Sequence, residues 1–307
     1  MSLERFICPD KVETKIVDCM AHCRMGERCM VRPLLALIGQ EREWKGVAST
    51  TQLIAGTMET YLKIKESYAT DPDGRLFMVG GTQHHKSLEE ASKLLNVASE
   101  VALSGDRDIF DLLEVEDGKI GLTDYKWWGS FRVAKALGIT KVGMKPNPDG
   151  SVYKTTSKWG KAGEPKMVPV FNQVQENVDN WETDYQLNRY RVKLFQLAGI
   201  KVDWMQLQVM VRDGGLAIAA GRGVVKNSYL IPVKFIEDEV VLKFFEHKDL
   251  ALHQALECGW DIPCDPVECW DGRKCEAYCD VAGFCPKGKL IKQLDSELKE
   301  KEDGIVI

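Results

Sequence analysis

Apolar and polar positions fall into a few well-marked blocks along the chain. Asp108-Ile109-Phe110-Asp111-Leu112-Leu113-Glu114-Val115 is a short apolar-rich run, Glu116-Asp117-Gly118-Lys119 carries turn chemistry, and Ile120 to Tyr125 is a second run. The pattern predicts a β-hairpin. Upstream, Leu88, Ala91, Leu94, Leu95 and Ala98 recur at helical spacing behind Gly80-Gly81, which predicts a helix with His84 and His85 in its first turn. Downstream, a second helix is predicted from Asp184 to a C-cap at Gly199. Two further apolar runs, Val202 to Val211 and Leu216 to Ala220, flank the turn Arg212-Asp213-Gly214-Gly215 and are expected as strands. The order helix, hairpin, connection, helix, strand, strand predicts an α/β fold with a mixed sheet flanked by helices.

The hairpin places chemistry on the sheet. Alternate side chains of a strand share a face, so Asp124 and Lys126 project together while Tyr125 points away. Asp111, on the partner strand, can approach Asp124 across the ladder. Two carboxylates on one face repel unless a cation lies between them, and oxygen ligands favour Mg²⁺ or Mn²⁺ over softer metals. Gln186 and Tyr190, four residues apart, share a face of the second helix. Taken alone, an Asp-x-Lys is a solvated ion pair, His84 and His85 are helix-surface histidines, and Gln186 and Tyr190 are core-edge residues. Their order along the chain is what joins them.

That order resembles the PD-(D/E)XK nucleases of the RecB type, in the iron–sulfur branch that includes CRISPR-associated nucleases and phage relatives. The matching block runs from about residue 80 to about residue 223. Gly81-Thr82-Gln83-His84-His85 matches the Gly-Thr-x-x-His element and favours His85 over His84 as a metal ligand. Asp111 matches the first-strand Asp, Asp124 and Lys126 the Asp-x-Lys element, and Gln186 and Tyr190 the Gln-x-x-x-Tyr element. Asp108 is a second candidate for the role of Asp111. The resemblance implies a restriction-endonuclease-like core over residues 46–255, in which His85, Asp111 and Asp124 hold the cation and Lys126 orients or deprotonates water. It implies Mg²⁺- or Mn²⁺-dependent hydrolysis of DNA, exonucleolytic and on single-stranded or frayed ends, in recombination, repair, phage DNA metabolism or CRISPR adaptation.

Ten cysteines fall in two groups, Cys8, Cys19, Cys23 and Cys29 near the start and Cys258, Cys264, Cys269, Cys275, Cys279 and Cys285 near the end. The first residues contain no long apolar segment of the secretory kind, which predicts a cytoplasmic protein whose clustered thiols bind metal rather than form disulfides. The spacing Cys-x₃-Cys-x₅-Cys occurs twice, as Cys19, Cys23, Cys29 and as Cys275, Cys279, Cys285. The resemblance implies a [4Fe–4S] cluster on Cys275, Cys279 and Cys285 with one N-terminal partner, Cys23 or Cys29, so that segments 1–45 and 256–307 form a metal-bound subdomain. Four thiolates also suit Zn²⁺. The remaining cysteines are left as a zinc site, a second cluster or free thiols.

Over 307 residues the net charge is −5, which excludes a broadly basic nucleic-acid binder but not a local phosphate contact. No apolar stretch reaches membrane-spanning length. Between Lys141 and Lys166 six lysines stand among Pro and Gly residues, an irregular insertion that reads as a DNA grip or as a solvated loop. Trp127, Trp128 and Trp159 invite base stacking, or pack the hairpin. Arg24, Arg28 and Arg32, at four-residue spacing, touch phosphate or coat a helix. Competing classes are a catalytically idle DNA-binding protein, a zinc-dependent interaction module and an electron-transfer protein.

Overall fold

The computed structural model describes residues 3–41, 43–95, 97–103, 108–158 and 160–303, with side chains to residue 297. Trp159 and the Ser104–Arg107 segment before Asp108 lie outside the described residues. Along the chain run β1 (Leu3–Ile7), β2 (Glu13–Lys15), α1 (Ile16–Ala21), α2 (Arg32–Ile38), α3 (Thr50–Ile54), α4 (Thr57–Lys65), β3 (Tyr68–Thr70) and α5 (Pro72–Leu95). The middle holds β4 (Ala98–Ala102), β5 (Ile109–Glu116), β6 (Lys119–Trp128), α6 (Ser130–Ala136), β7 (Ile139–Pro146), β8 (Met167–Gln173) and α7 (Trp181–Ala198). Then come β9 (Trp204–Val211), α8 (Ala217–Ala220), β10 (Ser228–Pro232), α9 (Asp238–Cys258), α10 (Arg273–Ala277) and α11 (Pro286–Asp303).

The architecture is mixed α/β, with a five-stranded mixed sheet in the order β10-β9-β6-β5-β4 at its centre. Strands β5 and β6 form the expected antiparallel hairpin, closed by Asp117 and Gly118, both at positive φ, the signature of a tight hairpin turn. β6 pairs in parallel with β9 over eight positions, Gly121 to Trp128 against Trp204 to Val211. Its inner face carries Leu122, whose neighbours Leu187 of α7 and Leu207 of β9 are, like it, fully buried. Each such side chain contributes about 1.5–3 kcal/mol by leaving water. α7 ends as expected at Gly199, with φ of 67°.

Three elements differ from the expectation. The histidine helix begins at Pro72, so His84 and His85 sit in its middle rather than its first turn. Pro occupies the first helical position and the Asp71 carboxylate accepts the Asp73 N–H at 3.0 Å, a normal helix start. Gly80-Gly81 does not interrupt it, because Leu76 and Val79 pack on the cluster of Phe6, Leu35 and Ile38 and hold the preceding turns. Second, Leu216–Ala220 is not a strand. It forms the short helix α8, and the strand beside β9 is Ser228–Pro232. Third, the lysine-rich insertion is not wholly irregular. β7 and β8 pair antiparallel into a long ribbon, and the Val152 to Pro165 bridge carries pairing toward its tip.

A smaller sheet, β2-β1-β3, joins the N-terminal hairpin to the middle of the chain, since β1 runs parallel to β3. Leu3, Met58, Leu62 and Tyr68 pack with Val281 and Cys285, bringing the C-terminal cysteine segment onto this sheet. Among the described residues no helix is long and apolar enough to cross a membrane.

Candidate active site

Registers across the sheet converge on a row of acids. Val101 pairs with Phe110 and Ser99 with Leu112, which sets Glu100 against Asp111; Leu112 pairs with Thr123, and one further step sets Asp111 against Asp124. Three carboxylates thus occupy neighbouring positions on three adjacent strands, an arrangement that costs free energy without a compensating cation. Glu100 has a φ of 49°, in the left-handed region disfavoured for a side chain of its size, so its position is held against local preference.

His85 reaches past the Tyr125 ring, with centroids 5.9 Å apart, to place Nδ1 3.4 Å from both Asp111 Oδ1 and Glu100 Oε1. Ligand atoms of His85, Glu100 and Asp111 all lie within 4.8 Å of one another. The two acids push the His85 imidazole up to about 10, Asp111 first and Glu100 second. The second Asp111 oxygen accepts the Tyr125 N–H at 2.6 Å, which fixes the carboxylate to the neighbouring strand. His84 is buried, with its ring edge-on to Trp127 at 5.6 Å, and Nε2 meets no hydrogen-bond partner.

On the other side of the row Asp124 forms an ion pair with Lys126 through Oδ2. Gln186 of α7 spans the pair, donating from Nε2 to Asp124 Oδ1 at 3.1 Å and accepting from Lys126 Nζ at 3.3 Å. Its Nε2 also lies 3.3 Å from the Tyr190 hydroxyl. Burial raises the Asp124 carboxyl, and outweighs the opposing pull of Lys126. Tyr190 is raised by burial and by the acids around it, so it stays a neutral hydroxyl. All of His85, Asp111, Asp124, Lys126, Gln186 and Tyr190 are therefore brought together. Glu100 was missed from the sequence, since Ala98-Ser99-Glu100-Val101-Ala102 has no marked alternation and only the strand register reveals its neighbour.

Asp108 is engaged elsewhere. Its buried carboxylate accepts the Thr50 N–H at 2.6 Å, the Thr50 hydroxyl at 2.8 Å and Lys193 Nζ at 2.8 Å, pinning α3 and α7 to the sheet. Trp127 lies against α5, close enough that a side chain at Gly80 would touch its ring at 3.8 Å. Trp128 packs on the main core with the Arg132 guanidinium 4.5 Å above it. Both rings are occupied by protein.

At the C-terminal end a small cavity is walled by Cys264, Cys275, Cys279 and Cys285 together with Met58, Leu62 and Lys287. Burial pushes the Cys264 thiol up to about 12 and the Cys279 thiol up to about 11. Cys264 stands in this wall where an N-terminal cysteine was expected. Cys23 and Cys29 do not line it. No three of the described thiols lie within 4.8 Å of one another, whereas a tetrahedral zinc site has a sulfur–sulfur edge of ~3.8 Å from its ~2.3 Å bonds.

No protein-family model matches this chain, and no curated protein matches it. Among solved structures, one described as the crystal structure of SSO0001 shares 12% identity and a TM-score of 0.39, over 82% of this chain and 91% of that one.

Proposed function

We propose that the chain is a metal-dependent deoxyribonuclease on a restriction-endonuclease-like core. The observation that carries this reading is the row Glu100, Asp111, Asp124 with His85 at one end and Lys126 at the other. Glu100 Oε1 and Asp124 Oδ2 are buried and face the cationic His85 and Lys126, and carboxylate oxygens are what a hard cation takes. His85, Glu100, Asp111 and Asp124 would hold Mg²⁺ or Mn²⁺. Bound there, the ion neutralises charge on a phosphodiester and lowers the pKa of its water.

The protein's own contribution is positioning. Asp124 and Gln186 fix the Lys126 ammonium from two sides, so it meets the attacking water and the scissile phosphate in one orientation. Tyr190 holds the Gln186 amide in turn. The β7–β8 ribbon, with its exposed lysines, is the surface that grips single-stranded or frayed DNA; the two packed tryptophans are not stacking platforms in this reading. The cavity of Cys264, Cys275, Cys279 and Cys285 offers the four thiolates that a [4Fe–4S] cluster, or alternatively Zn²⁺, requires.

The test is cleavage of end-labelled single-stranded and duplex DNA with Mn²⁺, Mg²⁺ or EDTA. Activity with Mn²⁺ that vanishes in Asp111→Asn and Asp124→Asn, both still folded by circular dichroism, is the expected result. Cation-dependent binding of DNA without cleavage would overturn the hydrolase reading in favour of an idle binding protein.

A further inference from the structure

The N-terminal cysteines form a group of their own. Cys8 opens the β1–β2 turn, where its N–H donates to Val12 O at 2.9 Å and its carbonyl accepts from Lys11 N at 2.8 Å. Cys19 lies on α1 and is buried against Phe6, Leu35 and Ile38. Cys23 and Cys29 sit in the connection 22–31, which has neither helix nor strand and no buried residue. Two arginines draw this connection back onto the other two cysteines. Arg24, next to Cys23, forms an ion pair with Asp10 in the Cys8 turn. Arg28, next to Cys29, donates to Cys19 O at 2.5 Å and to Met20 O at 3.3 Å, covering the end of α1. Arg24 and Arg28 thus lie in the connection, Arg28 against the end of α1, while Arg32 opens α2.

A small set of contacts holds 22–31 against the rest of the chain. Met30 packs at the edge of the Phe6 cluster and Arg28 bonds the end of α1, while an exposed pair such as Arg24 with Asp10 contributes only about 0–1 kcal/mol. Small segments with little core are commonly held by disulfides or metals, and none of these four cysteines is in a disulfide. We propose that Cys8, Cys19, Cys23 and Cys29 bind a thiophilic metal centre, zinc or iron–sulfur, separate from the C-terminal cysteine cavity. Arg24 and Arg28 offset the negative charge that four thiolates bring to the ion. The inference is independent of the nuclease reading.

The experiment is iron and zinc content of the full chain, purified without oxygen, in three forms: unaltered, Cys8→Ser with Cys23→Ser, and Cys275→Ser with Cys279→Ser. The N-terminal pair should remove one centre while leaving the other element or cluster in place, and the C-terminal pair should do the converse. Unchanged metal in the N-terminal variant would overturn the proposal. So would loss of the same centre in both variants, which would mean one site shared by the two ends. Where a variant fails to fold, iodoacetamide labelling of the unaltered chain decides the matter. Cys29 is exposed, so it should resist alkylation until a chelator is added; prompt labelling of Cys29 with metal still bound would sink the idea.

Discussion

Gln186 and Asp124, 62 residues apart, are joined by a 3.1 Å hydrogen bond that ties helix α7 to strand β6. The same amide accepts from Lys126, so one side chain sets the orientation of both. Gln186→Ala is expected to lower the cleavage rate about 100-fold, the cost of misplacing a reacting group by about 1 Å. KM for DNA should barely change. A single-turnover assay checks this; a rate within twofold of the unaltered chain would remove Gln186 from the positioning network.

Glu100→Gln keeps the size of the side chain and removes its charge from the row. The Mn²⁺ concentration for half-maximal activity should rise by roughly 10–100-fold, the range seen when groups around a metal are altered. Asp108→Asn serves as the contrast: it should lower the melting temperature by breaking the ion pair with Lys193 without moving the Mn²⁺ requirement. An Mn²⁺ titration of both variants separates the roles.

Glu59 is a buried acid between two lysines, with Nζ of Lys63 at 2.7 Å and of Lys274 at 2.5 Å. It thereby fastens α4 to the helix that carries Cys275. Glu59→Gln strands both ammonium groups and should cost about 3 kcal/mol in urea unfolding at pH 7. The lysines hold the Glu59 carboxyl below its ordinary value of 4.5, despite burial. Its stabilisation is therefore complete above that value and is lost as pH falls through the lower folded one. The gap between variant and unaltered chain should shrink below pH 4.5; a constant gap would contradict the ion-pair account.

Gly121 has no room for a side chain. A Cβ there would stand 1.9 Å from the Trp204 ring on β9. Gly121→Ala should cost about 1–3 kcal/mol by overpacking, and Trp204→Leu in the same chain should recover part of it. Thermal melts of the single and double variants test the coupling.

The lysines of the ribbon make a separate, salt-dependent prediction. Lys145, Lys154 and Lys161 are exposed. Changing all three to Gln should weaken single-strand binding and flatten the dependence of log K on log salt by about 0.7 for every phosphate that is no longer neutralised. An unchanged slope would mean that DNA follows another path.

What was legible in the sequence was what local periodicity encodes. The β5–β6 hairpin announced itself through Asp117-Gly118 between two apolar runs, and the alternation that puts Asp124 beside Lys126 follows from the strand itself. Gln186 and Tyr190 share a helix face for the same kind of reason. Glu100 depends on the register of a third strand, which no local pattern carries. Leu216–Ala220 is short and apolar, where helix and strand look alike. The start of α5 was hidden by Gly80-Gly81, because packing of Leu76 and Val79 outweighs the glycine penalty of about 1 kcal/mol each. The division of the cysteines is likewise tertiary: both groups repeat one spacing, and only the fold places Cys264 with Cys275, Cys279 and Cys285.

Strand β6 is the middle of five, bonded along both edges, whereas the β7–β8 ribbon is a two-stranded excursion exposed over most of its length. Amide protons of Asp124 and Lys126 should therefore exchange with solvent only when the whole domain opens, and those at the ribbon tip within ordinary local fluctuations. The sheet thus sets the Asp124 and Lys126 centre on its most enclosed strand and leaves the lysine-bearing ribbon as an arm whose local opening need not disturb it.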